Sequence, residues 1–190
     1  MSLYQLQYSK SAWTEIIVSS LKGHDNDLFE KQIREHGDKH NKKTNVKANM
    51  TDWNMSQHEN WRELGLNIVK DGVLRLSPTI VTKQRVNWGI TQIWGNLYNC
   101  GDFSVDHHHI PSVWSFVYYV RVPYGSSGLI FPDLDYIVNP SEGDFVLFPS
   151  HLMHGVRSNL SKEARISISG NICQLFEIPK ENEYVYDIEA

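Results

Sequence analysis

From Gly72 onward the chain breaks into short runs of β-branched and aromatic residues, separated by Gly, Pro, Asn and Asp about every ten residues. The candidate strands are residues 84 to 98, 102 to 109, 113 to 122, 127 to 131, 144 to 148, 154 to 158 and 164 to 172, and "YNCGD", "VPYGSSG" and "NPSEGD" are the turn signals between them. Parallel strands need long crossover connections, usually helices, and no helical period interrupts this stretch. The strands must therefore pair antiparallel, in a sandwich or barrel.

The first 72 residues read differently. Trp13, Ile16, Ile17 and Leu21 recur at helical spacing in "SAWTEIIVSSLK", after a possible cap at Ser11. "DNDLFEKQIREHG" repeats the pattern, with Asp25, Asn26 or Asp27 as cap, Leu28, Phe29 and Ile33 inward, and Gly37 as stop. A third helix is expected in "SQHENWRELGLNIVKDG", with Trp61, Leu64 and Ile68 on one face. A polar loop over 37 to 56 is expected to be exposed or to form the rim of a site.

The expected organisation is one domain over 1–190: a mainly helical part over 1–72, a β core over 73–178 and a C-terminal tail over 179–190. A chain of 190 residues can bury a core without disulfide staples, and its two cysteines, Cys100 and Cys173, fit a reducing compartment. No apolar run approaches the ~20 residues of a membrane span, and the N-terminus lacks a secretion pattern, so the expected location is the cytoplasm. A net charge of −4 argues against bulk binding to nucleic acid. The basic stretch "KQIREHGDKHNKKTNVK" is read as a solvated helix end and loop.

One motif carries chemistry. In "SVDHHHIPSVW" a strand sends residues i and i+2 to one face, so His107 and His109 project together and His108 opposes them. Phe103 and Val105 share their parity, which suggests that this row faces inward and that Asp106 and His108 face out. Paired core histidines would do the same without a metal. "EGDFVLFPSHLMHGV" supplies a third partner, because its strand can return beside the first. His154, opening the next strand, is the expected ligand, in preference to His151 in the loop. Three imidazoles on one face suit iron, zinc, copper or nickel and leave positions open, as catalytic rather than structural sites do.

"ARISISGN" follows. If Ile166 and Ile168 pack on one face, Arg165, Ser167 and Ser169 share the other, and a guanidinium buried there without an anion costs several kcal/mol. A carboxylate ligand would answer it. A surface arginine paired with Glu163 or Asp144 is the bland alternative.

Together, "WGNLYNCGDFSVDHHHIPSVWSFVYYVRVP", "PSEGDFVLFPSHLMHGV" and "RISISGN", with a weaker echo in "TNVKANMTDWNM", resemble the iron(II)- and 2-oxoglutarate-dependent oxygenases. The resemblance covers residues 44 to 172 and is closest to the prolyl-hydroxylase-like branch and to oxygenases some of which bacteriophages encode; for a phage-encoded chain the location would be the host cytoplasm. It implies a mainly β (α+β) fold, a double-stranded β-helix (jelly roll, cupin-like) with N-terminal helices packed on it. It implies iron(II) on His107, His109 and His154, with 2-oxoglutarate as co-substrate and O2 as oxidant. Arg165 with Ser167 would take the distal carboxylate, Tyr98 and Asn96 would assist, and no catalytic residue beyond the metal site is implied. The activity implied is hydroxylation of a C–H bond in peptidyl proline, an amino acid or another small metabolite. His109 departs from the family, whose ligand set has a carboxylate there. That departure keeps three rivals open: a cupin-type three-histidine dioxygenase, a non-catalytic metal-binding jelly roll, and a structural jelly roll.

Overall fold

The computed structural model describes residues 2–9, 12–37, 43–73, 86–175 and 185–188. Among these residues the strands are β1 (Ser2–Ser9), β2 (Ala12–Ser20), β3 (Val46–Lys47), β4 (Asn49–Met50), β5 (Val86–Tyr98), β6 (Phe103–His107), β7 (Trp114–Arg121), β8 (Leu129–Phe131), β9 (Tyr136–Val138), β10 (Asp144–Pro149), β11 (His154–Val156), β12 (Arg165–Leu175) and β13 (Val185–Ile188). The helices are α1 (Asn26–His36) and α2 (Glu59–Ile68), the latter continuing into a π turn over Val69–Val73.

The strands form two antiparallel sheets. The larger runs β1-β2-β10-β7-β12-β5-β13, with β4 also on β5, and the smaller runs β3-β6-β11-β8-β9. This is the double-stranded β-helix arrangement, and its interior lies between the sheets. One core there joins Trp94, Tyr98, Tyr119, Phe131, Phe148 and Leu152. A second core lies on the outer face of the larger sheet, where Ile93, Leu97, Ile166 and Ile168 meet Phe29 and Ile33 of α1 and Trp61, Leu64 and Ile68 of α2. Both faces of the sheet are covered, so its strands read as near-continuous apolar runs.

Each helix has a local cause. Asp25 caps α1 by accepting the Leu28 N–H at 3.0 Å, and Phe29 and Ile33, four apart, turn to the sheet while Leu28 stays exposed. The helices reach the strands closely at Gly95, where an added Cβ would lie 2.4 Å from Ile33 Cγ1 and 3.1 Å from the Trp61 ring.

Three expectations need correction. "SAWTEIIVSSLK" is not a helix, because β2 occupies Ala12–Ser20 and pairs Val18 with Val146 and Ile17 with Leu147. It is buried on both sides, Ile16 in the inner core and Ile17 in the outer one, and a run apolar on both faces mimics a helical period. The β-branched Thr14, Ile16, Ile17 and Val18 favour the strand. Leu28, expected inward, faces solvent. The C-terminal segment is not simply a tail, since Val185–Ile188 adds to β5; positions 179–184 and 189–190 lie outside the described residues.

Candidate metal and co-substrate site

The site begins with register. β11 lies antiparallel to β6, which sets His154 opposite His107 and Val156 opposite Ser104. Two steps on β11 therefore match three on β6, so β6 carries a bulge. The bulge decides which way the side chains point. Phe103 and Val105 are exposed and Ser104 is buried, the reverse of the inward row expected from alternation, and the extra residue then turns His107 in. His109 is past the end of the strand. Its placement comes from a loop held by its own N–H, which donates to the Ser150 carbonyl at 2.8 Å.

The three imidazoles converge: one ring nitrogen from each lies within 4.8 Å of the others. Ring centroids are 4.5 Å apart for His107 and His154, 4.9 Å for His107 and His109, and 5.0 Å for His109 and His154. His107 Nδ1 donates to the Val105 carbonyl at 2.6 Å and His154 Nδ1 to the Leu152 carbonyl at 2.9 Å. These bonds fix the tautomer and leave Nε2 as the lone-pair donor, as metal-bound histidines require. Burial, chiefly, keeps the rings neutral. His109 is pushed down to about 4 by burial and then by its histidine neighbours, His154 falls well below the ordinary value, and His107 is lowered. Neutral imidazole is the form that ligates.

Asp106 and His151 do not join them. Asp106 faces away, with Arg157 Nη1 3.4 Å from its carboxylate, and His151 is exposed in the turn after β10.

Arg165 opens β12, only 1% exposed. It pairs in register with Tyr98, and Ser167 pairs with Asn96 on one side and Tyr119 on the other. The guanidinium lies 5.0 Å from the Tyr98 ring centre and 5.2 Å from that of Tyr119. Its Nη1 reaches Ser167 Oγ at 3.4 Å, while Nε and Nη2 have no hydrogen-bond partner and no carboxylate of the described residues pairs with it. Burial pushes the Tyr119 phenol up to about 12 and also raises Tyr98, so neither ring supplies the missing anion. Asn96 donates to Ser169 Oγ at 3.1 Å and leaves its Oδ1 unpaired. Arg165, Ser167, Tyr98 and Asn96 line one cavity with the three histidines.

The paired surface arginine considered from sequence is thus excluded by geometry; Asp144 instead accepts from the Ser141 N–H. Tyr119 and Trp94 also belong to the site. Tyr119 faces Arg165, and Trp94 packs edge-on to His109 with centroids 5.6 Å apart and its indole N–H unpaired. Both depend on long-range register, which no local pattern carries.

Residues 134–171 match the family model described as "Putative 2OG-Fe(II) oxygenase", a stretch holding both His154 and Arg165. No curated protein matches the chain in sequence. Among solved structures, a viral collagen prolyl hydroxylase from Paramecium Bursaria Chlorella virus-1, in complex with 2-oxoglutarate, superposes with a TM-score of 0.60 at 15% identity, over 85% of this chain and 96% of that one. A Pseudomonas putida prolyl-4-hydroxylase gives 0.59 at 16%, over 84% and 92%. A Trichoplax adhaerens prolyl hydroxylase in complex with a hypoxia-inducible-factor peptide gives 0.59 at 14%, over 83% of each chain. The fold is that of the iron(II)- and 2-oxoglutarate-dependent oxygenases.

Proposed function

We propose that the chain is a non-haem iron(II)- and 2-oxoglutarate-dependent oxygenase that hydroxylates a C–H bond of a peptidyl or small-molecule substrate. The carrying observation is Arg165: a buried guanidinium with two unpartnered nitrogens, Nε and Nη2, sharing a cavity with three convergent neutral histidines. A buried charge without a partner is costly, and a dicarboxylate seated between metal and arginine removes that cost. The family-model match and the fold point the same way.

His107, His109 and His154 would hold the metal through three ring nitrogens, leaving positions for ligands. Arg165 would clamp the distal carboxylate of 2-oxoglutarate with Ser167, and Tyr98 and Asn96 would bound the same pocket. When bound, iron and co-substrate supply O2 activation coupled to decarboxylation of 2-oxoglutarate to succinate. The protein's share is to orient the co-substrate, hold the imidazoles neutral and restrict water with the Trp94, Phe148 and Phe131 rings. No carboxylate stands among the three ligands, which is the one feature favouring a three-histidine dioxygenase without 2-oxoglutarate; Arg165 has no task in that enzyme. Cys100 and Cys173 are free thiols, and a reducing cytoplasmic compartment is part of the proposal. No described helix is long and apolar enough to cross a membrane.

Anaerobic titration of the iron(II) protein with 2-oxoglutarate, followed by calorimetry and the visible charge-transfer band, tests the reading. Saturable binding that requires both iron and Arg165 is expected. Iron binding without 2-oxoglutarate binding would overturn it in favour of the three-histidine enzyme or a non-catalytic site.

A further inference from the structure

A second opening lies in front of His107 and His109, and it is lined also by Met50, Trp53, Gln92 and Trp94. None of its described lining residues is Asp, Glu, Lys or Arg. It adjoins the Arg165 pocket, and Val46, Trp94 and the two histidines are common to both.

Gln92 is aimed there by a defect in the sheet. Along β5, Asn171 of β12 pairs with Gln92 but Ile172 pairs with Ile90, so Thr91 is a bulge. Above the bulge the row Tyr98, Asn96, Trp94, Gln92 faces the interior; below it Ile90 and Trp88 join the outer core. Gln92 is therefore the last inward residue of its row and stands at the mouth. Its amide is also held. Ser115 Oγ lies 2.7 Å from Ser150 Oγ and donates to Asn171 Oδ1 at 2.9 Å, and Asn171 Nδ2 donates to Gln92 Oε1 at 2.9 Å. With the oxygen engaged, the NH2 group is the end presented to the opening. The same network reaches the metal site, since the Ser150 carbonyl accepts the His109 N–H.

We infer that Gln92 is a specificity-determining residue, whose amide N–H donates to a carbonyl of an uncharged substrate lying against Trp53 and Met50. This rests on the oxygenase reading for the reaction but not for the binding. A pre-oriented amide loses little rotamer freedom on binding, and an uncharged wall disfavours a substrate that must bury an ion. Trp53, 39% exposed, offers flat apolar surface in the same opening.

The probes are N-acetyl amino-acid amides with Ala, Leu, Phe and Pro side chains, against the Lys and Asp counterparts. Their affinities are measured by NMR titration of the metal-free and zinc-loaded protein. Gln92→Glu keeps an acceptor for Asn171 but loses the donor, and Gln92→Met loses both. The neutral probes are expected to bind better than the charged ones and to weaken about tenfold in both variants, with zinc stoichiometry unchanged. Equal affinity in wild type and both variants, preference for charged probes, or no binding of neutral probes to wild type would overturn the inference. Iron-dependent succinate formation by wild type is scored separately, so failure of the oxygenase reading leaves the binding result standing.

Discussion

His107 and His154 face each other across the β6–β11 pair, and each donates its Nδ1 proton to the carbonyl two residues earlier in its own chain segment, Val105 for one and Leu152 for the other. The two rings are thus held alike, with Nε2 left free of that bond on each, and one ring nitrogen from each of the three histidines lies within 4.8 Å of the others. A pair of core histidines would need only burial; matched tautomers with the lone pairs converging are what a metal requires.

Removing either ring should therefore remove the metal. His107→Ala and His154→Ala are expected to drop cobalt(II) or iron(II) binding from one equivalent to below detection by equilibrium dialysis, with the fold retained by circular dichroism. Full stoichiometry in either variant would assign the metal elsewhere.

Arg165 separates stability from function. Arg165→Met replaces an unpaired buried charge with an apolar chain of similar length, which is expected to raise the melting temperature of the ligand-free protein. The same change should weaken 2-oxoglutarate by about 10- to 100-fold, the worth of a charge-assisted hydrogen-bond pair, while leaving metal stoichiometry intact. Calorimetry and a thermal scan of one preparation read both.

The site's pH dependence follows from its neutral imidazoles. Their folded-state values lie below 6.5, with His109 near 4, so the unfolded chain binds more protons between those limits. Stability of the metal-free protein should therefore be full above pH 6.5 and fall as the pH drops toward 4. Bound zinc must compete with the same protons, so the loaded protein should hold its melting temperature further into acid before losing both metal and stability. Parallel melts at pH 7.5, 5.5 and 4.5 check the direction.

Much of this was legible in the chain. Antiparallel strands follow from short β-prone runs without crossover helices, and Arg165 on a row with Ser167 follows from the Ile166 and Ile168 alternation. The defects are what sequence hides. Alternation carried from Phe103 to His107 gives the right direction for the histidine by the wrong route, because the β6 bulge reverses the row between Ser104 and His107. The Thr91 bulge hides Gln92 in the same way. β2 mimics a helical period because its two faces are buried in different cores, and Tyr119 meets Arg165 only through the β7–β12 register.

His109 occupies the place where the family resemblance calls for a carboxylate. His109→Asp should retain iron and add one negative charge among the ligands, and it is expected to raise the rate of succinate formation from 2-oxoglutarate. A lower rate at equal iron occupancy would show that the three-histidine set is the working one in this chain.

The bulge itself can be tested without touching a ligand. A Cβ on Gly155 would lie 2.2 Å from Asp106 Oδ1, so Gly155 is what lets the bulged β6 lie against β11 with Asp106 turned outward. Gly155→Ala should cost about 1–3 kcal/mol by overpacking, shift the register that places His107 opposite His154, and weaken cobalt(II) binding. Adding Asp106→Ala removes the obstructing carboxylate and should recover most of both losses, because the two sites are in contact and cannot be additive. Additive losses in the double variant, measured by urea melts and cobalt titration, would mean that Asp106 is not what the bulge accommodates.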